Sequence, residues 1–188
     1  MSGLKYIVII MGVLLVGSIL LRPGTCAPAA PRTVRPADAK IADLSVEGQP
    51  AAGAGVAPYS FTIRAEVADT PAARRQGLAG RAGLEPGFGM LYVYDAPQEV
   101  RFSEATVAFP LSVAFIRSDG TIVKIGKTAP RDPALLISDQ SVRYVLEVRD
   151  GWFDDRGIRE GARLVIPAEL VAAKGQAVPA ESAPATQG

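Results

Sequence analysis

The chain has 188 residues, with 20 Lys+Arg against 19 Asp+Glu, so it offers neither a basic groove for nucleic acid nor a polybasic membrane patch. It contains no histidine and one cysteine, Cys26, which removes histidine-based catalytic triads, thiolate zinc sites and any intrachain disulfide. Carboxylate chemistry is what remains; there is no acidic calcium loop, and no metal or cofactor is expected.

Residues 1–27 read as a signal peptide or an N-terminal membrane anchor. Lys5 precedes an uncharged apolar run from Tyr6 to Leu21, longer than a usual signal core and shorter than a comfortable membrane span. Small residues at Thr25-Cys26-Ala27 and Ala27-Pro28-Ala29 suit signal peptidase. Arg22, Arg32, Arg35 and Lys40 follow the run, and a positive-inside count therefore opposes export. The cleavage-like sites and the tether behind them favour it. The expectation is an exported protein on the periplasmic or extracytoplasmic face of the inner membrane, held there by residues 6–21 if these are not removed. Cys26 is a candidate lipidation site, although Pro23-Gly24-Thr25 before it lacks the residues a lipoprotein signal uses.

Residues 28–58, rich in Ala, Pro and Gly, read as a disordered linker, within which Ile41 to Val46 is a short patch able to order. Residues 59–169 form the predicted domain, and 170–188 repeat the linker composition as a disordered tail. Inside the domain a two-residue period dominates. Phe61, Ile63, Ala65 and Val67 share one face, with Thr62, Arg64 and Glu66 on the other. Asp69-Thr70-Pro71 can cap and open a short helix that Gly77 ends. Gly77, Gly80, Gly83, Gly87 and Gly89 make a glycine-dense connection best explained by turn geometry.

A strand follows from Gly89. The stretch VRFSEATVAFPLSVAFI (100–116) reads as two buried strands with Glu104 at an apolar position, sharing a face with Phe102 and Thr106. Unpaired burial of Glu104 is costly, so an arginine partner, Arg101 or Arg143, or a bulge facing water is expected. Asp119-Gly120 marks a hairpin. Gly126-Lys127-Thr128 ends a strand and lacks the loop spacing of a phosphate site. Val142, Tyr144, Leu146 and Val148 alternate with Arg143 and Glu147, which places these two charges on one face, as outside decoration or as a polar groove. Residues 151–157 read as a second short helical turn, with Asp154 and Asp155 solvated. The sum is a mainly β fold, a compact sandwich or partly closed, jelly-roll-like barrel with two short helices.

The blocks VADTPAARRQGLAGR, GFGMLYVYD, RF–PLSVAFI, DGTIVKI, VRYVLEV and GIREGARL, in this order, resemble the "domain of unknown function 192" family over about residues 61–166. The resemblance implies a compact β domain, usually behind a signal peptide, and transfers no activity. Phe102, Pro110 and Leu111 match the family pattern. Where members carry an aromatic, a methionine, a lysine, an asparagine and a threonine, this chain has Ser103, Glu104, Ala105, Thr106 and Val107, and Ser112 replaces an aspartate. That departure suggests a degenerate or re-purposed member. Phe102, Glu104, Thr106, Ser112, Arg143 and Tyr144 are the pocket candidates, with Glu104 and Glu147 as candidate catalytic carboxyls. Three readings follow: a non-catalytic envelope module binding a protein or small ligand, a carboxylate-dependent hydrolase of envelope glycans, or a sugar-binding domain using Tyr92, Tyr94 and Trp152.

Overall fold

The structure is a computed structural model that describes residues 35–48 and 58–172. The apolar run 6–21, Cys26 and the tail from 173 lie outside the described residues. Among the described residues seven strands are joined in one sheet: β1 (Ile41–Gly48), β2 (Tyr59–Ala68), β3 (Phe88–Ser103), β4 (Leu111–Ile116), β5 (Ile122–Thr128), β6 (Leu135–Arg149) and β7 (Arg163–Val165). Their spatial order is β5-β4-β6-β3-β2-β1-β7. All pairs are antiparallel except β2 with β3, because a crossover carrying helix α1 (Pro71–Gln76) joins those two.

The sheet curls into a half-barrel. At one end its edges meet through a Thr121–Arg163 bridge, with Ile122 N–H donating to Ala162 O and Leu164 N–H to Gly120 O, both at 2.8 Å. The predicted Asp119-Gly120 hairpin makes this closure: Gly120 sits at φ +87°, and a Cβ there would stand 2.3 Å from Leu164 O. Inside the curl, Leu44, Ile63, Leu91, Ile116, Ile122, Tyr144, Leu146 and Leu164 form one core with Trp152, Phe153 and Ile158. On the opposite face, Met90, Tyr92, Leu111, Val113, Phe115 and Val145 form a second core under Leu78 and Val107. Each fully buried Leu or Val contributes about 1.5–3 kcal/mol. The segments after β2 and after β3 are thus pinned to the sheet as covers.

The helix start follows the expected chemistry. Thr70 Oγ1 accepts from Ala73 N–H at 3.1 Å, and Pro71 opens α1. Four expectations are corrected. Residues 41–48 are not linker: they form β1, hydrogen-bonded between β2 and β7, with Leu44 and Val46 fully buried. Four alternating buried residues, Ala42, Leu44, Val46 and Gly48, are enough when two strands flank them. The boundary at 170 also moves, since helix α2 spans Ala168–Ala172 and buries Leu170. Val142 packs in the outer core while Tyr144 packs inside, because the β3–β6 register shifts between Val93 and Gln98. That bulge breaks the alternation at Arg143. Finally, Glu104 is not a strand residue: β3 ends at Ser103, and Val107 N–H closes a turn onto Glu104 O at 3.0 Å.

Candidate functional site

A cleft of about 210 Å³ opens between the end of α1 and the 101–107 segment. Its walls carry Arg74, Arg75 and Gly77 from one side and Arg101, Phe102 and Thr106 from the other, over a base formed by Tyr92 and Glu104. Local sequence explains the shape. Gly77, at φ +45°, turns the chain down onto the sheet, and a Cβ there would lie 2.4 Å from Tyr92 Oη. The turn starting at Glu104 lays Val107 on the outer core, and Arg131 N–H fastens it by donating to Val107 O at 2.7 Å.

Behind the base lies Glu147 on β6, with 0% exposure; Glu104 is 3% exposed. Tyr92 Oη donates to Glu147 Oε2 at 2.8 Å, while Oε1 has no hydrogen-bond partner among the described residues. The Glu104 and Glu147 carboxyls are neighbours, close enough that each shifts the protonation of the other. Two adjacent buried carboxylates repel, so one keeps its proton. Burial, and then the bond and charge of Glu104, push Glu147 well above the ordinary glutamate range, against the weaker opposing pull of Tyr92 and Arg81. Burial also raises Glu104, an effect that Glu147 beside it partly offsets. Glu147 is therefore the protonated partner. Tyr92 is raised well above the usual phenol value by burial and by Glu147. Nearby, Arg81 clasps the buried Glu66 with both guanidinium nitrogens, the second pair at 2.8 Å, and it holds the glycine-rich segment against the sheet.

The predicted site residues separate into two groups. Phe102, Glu104 and Thr106 line the cleft, and Phe102 meets the Tyr92 ring edge-on at 4.9 Å. Ser112 does not: its Oγ donates to Asp150 Oδ1 at 3.2 Å and accepts from Gly151 N–H at 3.1 Å, tying β4 to the turn after β6. Arg143 stands 5.9 Å from the Tyr144 ring, and Tyr144 points into the inner core, its hydroxyl without a partner among the described residues. The expected pairing of Glu104 with Arg101 or Arg143 is replaced by contact with Glu147; Arg101 reaches Glu99 at 3.6 Å instead. Glu147 is neither outside decoration nor part of a groove with Arg143, because the β6 face it occupies is covered. Tyr92 and Tyr94 line the cleft, whereas Trp152 lies in the inner core under the Arg156 guanidinium, 4.6 Å from its ring centroid. Arg74, Arg75, Gln76, Leu78 and Ala79 also line the cleft, and none of them was singled out in the sequence. Gly77 was legible as a helix end, and only the fold brings it over Tyr92.

Among the described residues no group of three or more His, Cys, Asp or Glu side chains is placed to hold a metal ion. No helix among them is long and apolar enough to cross a membrane.

A curled seven-stranded sheet with a small polar cleft on its convex face defines a compact β domain. The model of the domain of unknown function 192 family, described as "Uncharacterized ACR", matches residues 56–166, and the chain belongs to that family. The match begins after β1. Two of the similar solved structures are these. A crystal structure of a candidate transcription regulator from Sinorhizobium meliloti 1021 is 32% identical, with a TM-score of 0.58, over 66% of this chain and 93% of that one. A protein of unknown function from Novosphingobium aromaticivorans DSM 12444 is 25% identical, with a TM-score of 0.63, over 73% of this chain and 94% of that one. No curated protein matches the chain.

Proposed function

We propose that the protein is a non-catalytic binding domain of the cell envelope, taking a small polar ligand in the cleft above Glu104 and Tyr92. The observation that carries this is the contact between the two carboxyls. Hydrolysis of a glycosidic bond needs carboxyls about 5–9.5 Å apart, with the substrate between them. Glu104 and Glu147 are immediate neighbours that share one electrostatic environment, and Glu147 is sealed from solvent, which leaves no room for a substrate between them. Such a pair leaves Glu104, which lines the cleft, as a fixed acceptor suited to hydrogen-bonding a ligand's hydroxyl. Thr106, at a position where the family carries another polar group, lines the cleft, while Ser112 is spent on Asp150 and Gly151. This fits a member re-purposed around Glu104.

The address rests on the apolar run 6–21 and the small-residue sites after it. An alkaline phosphatase fusion placed after residue 58 is expected to be active in a bacterial host, because that reporter folds only after export; an inactive fusion with normal expression overturns the envelope reading. The cleft is tested by a fragment screen on the full ¹⁵N-labelled chain. Hits are expected to shift the amides of Gly77, Tyr92, Glu104 and Thr106. Hits that map only elsewhere overturn the reading.

A further inference from the structure

The cleft is bipolar, which narrows its ligand. Its open side is cationic. Arg74 is committed to structure, donating to Val93 O at 2.7 Å and Asp69 O at 3.2 Å. Arg75 is exposed and has no partner among the described residues. The Arg101 side chain is 65% exposed and shares only a loose surface pair with Glu99 at 3.6 Å, an interaction worth little. Two guanidinium groups are therefore available at the rim, the chemistry that recognises a carboxylate. The closed side is the reverse. Glu104 lines the base, where a hydroxyl is welcome and an anion is repelled. Tyr94 and Phe102, each part-buried, supply an apolar wall. At about 210 Å³ the cleft is smaller than drug-sized pockets, which run to roughly 300–1,000 Å³, so it has room for a single ring.

We propose that the cleft recognises an acidic sugar ring, a uronate-type monosaccharide unit whose carboxylate meets Arg75 and Arg101 and whose hydroxyls meet Glu104 and Thr106. The inference rests on the binding-cleft reading above. An inorganic anion satisfies the rim and leaves Glu104 opposed to it. A neutral sugar satisfies the base and leaves both arginines unused. Only a molecule with an anion at one end and hydroxyls at the other fits both.

The test compares glucuronate, glucose and inorganic phosphate by titration onto the full chain at low ionic strength, followed by the amide shifts of the cleft residues. Glucuronate is expected to bind at least about tenfold more tightly than glucose, a difference of about 1.4 kcal/mol. The double variant Arg75→Gln/Arg101→Gln, changed only at exposed side chains, is expected to lose that preference. Glu104→Gln is expected to weaken both sugars. Equal binding of glucose and glucuronate at the cleft overturns the acidic-sugar assignment while leaving the binding cleft standing. Phosphate binding as tightly as glucuronate and competing with it reduces the site to a plain anion rim and also overturns it. If none of the three probes shifts the cleft amides, the inference fails, and the fragment screen decides separately whether the cleft binds anything.

Discussion

Replacing Glu147 with glutamine isolates the energetics of the carboxyl pair. In the fold Glu147 holds its proton well above the ordinary value of 4.5, because burial and Glu104 both oppose its charge. In the unfolded chain the same carboxyl ionises near that ordinary value. Between the two, the folded state binds more protons than the unfolded one, so stability falls as pH rises. The stabilisation is complete below the unfolded pKa and is lost on the way up to the folded one, at about 1.4 kcal/mol per pH unit. Glutamine keeps the shape: its carbonyl accepts from Tyr92 Oη, and its amide donates to Glu104. It has no proton to lose, so Glu147→Gln is expected to be more stable than the parent at neutral pH. Urea unfolding at pH 5, 6 and 7 measures the difference. The advantage is expected to widen by about 1.4 kcal/mol per unit, or up to about 2.7 kcal/mol over the range, for as long as the folded carboxyl keeps its proton. Parallel pH profiles for the two proteins, or a variant that loses ground as pH rises, refute the protonated-pair account.

Tyr144→Phe removes a buried hydroxyl without a partner among the described residues, and thermal unfolding is expected to show no loss or a gain. Tyr92→Phe removes the donor to Glu147 and is expected to cost about 1–3 kcal/mol. Gly77→Ala places a Cβ 2.4 Å from Tyr92 Oη at φ +45°, with an expected cost of about 1–3 kcal/mol for the backbone alone. In the Tyr92→Phe background the steric part disappears, and a double-mutant cycle with no coupling argues against the close approach. Arg81→Met strands the buried Glu66 and is expected to cost about 3–5 kcal/mol. Adding Glu66→Gln should recover most of that in denaturant melts; failure to recover shows that Arg81 acts through packing and not through the pair.

The site was only partly readable along the chain. Phe102, Glu104 and Thr106 were legible as a group, because an acidic residue in an apolar block is conspicuous and its neighbours follow. Their geometry was not legible, since a regular strand was expected where β3 in fact ends and a turn begins. Local patterning, in strand periodicity, the Asp119-Gly120 turn and the Asp69-Thr70-Pro71 cap, carried β2, the β4–β5 hairpin and the start of α1 directly into the structure. It failed where the signal was short or interrupted. β1 is eight residues in a poor composition and becomes a strand because β2 and β7 supply its hydrogen bonds. The alternation through Val142 and Tyr144 concealed a bulge that depends on the register of β3.

Composition and pattern alone thus determined a mainly β domain without histidine chemistry or a disulfide, because these follow from residue counts and local periodicity. Glu104 and Glu147, 43 positions apart, could be named together as candidate carboxyls, but nothing along the chain showed that they meet. Only the tertiary structure brings them into contact. Pairing β6 with β3 places Glu147 opposite Met90 and beside Tyr92, and the turn after β3 folds Glu104 back onto them. A carboxyl's charge state depends on solvent access and on neighbours distant in sequence, and folding alone supplies both.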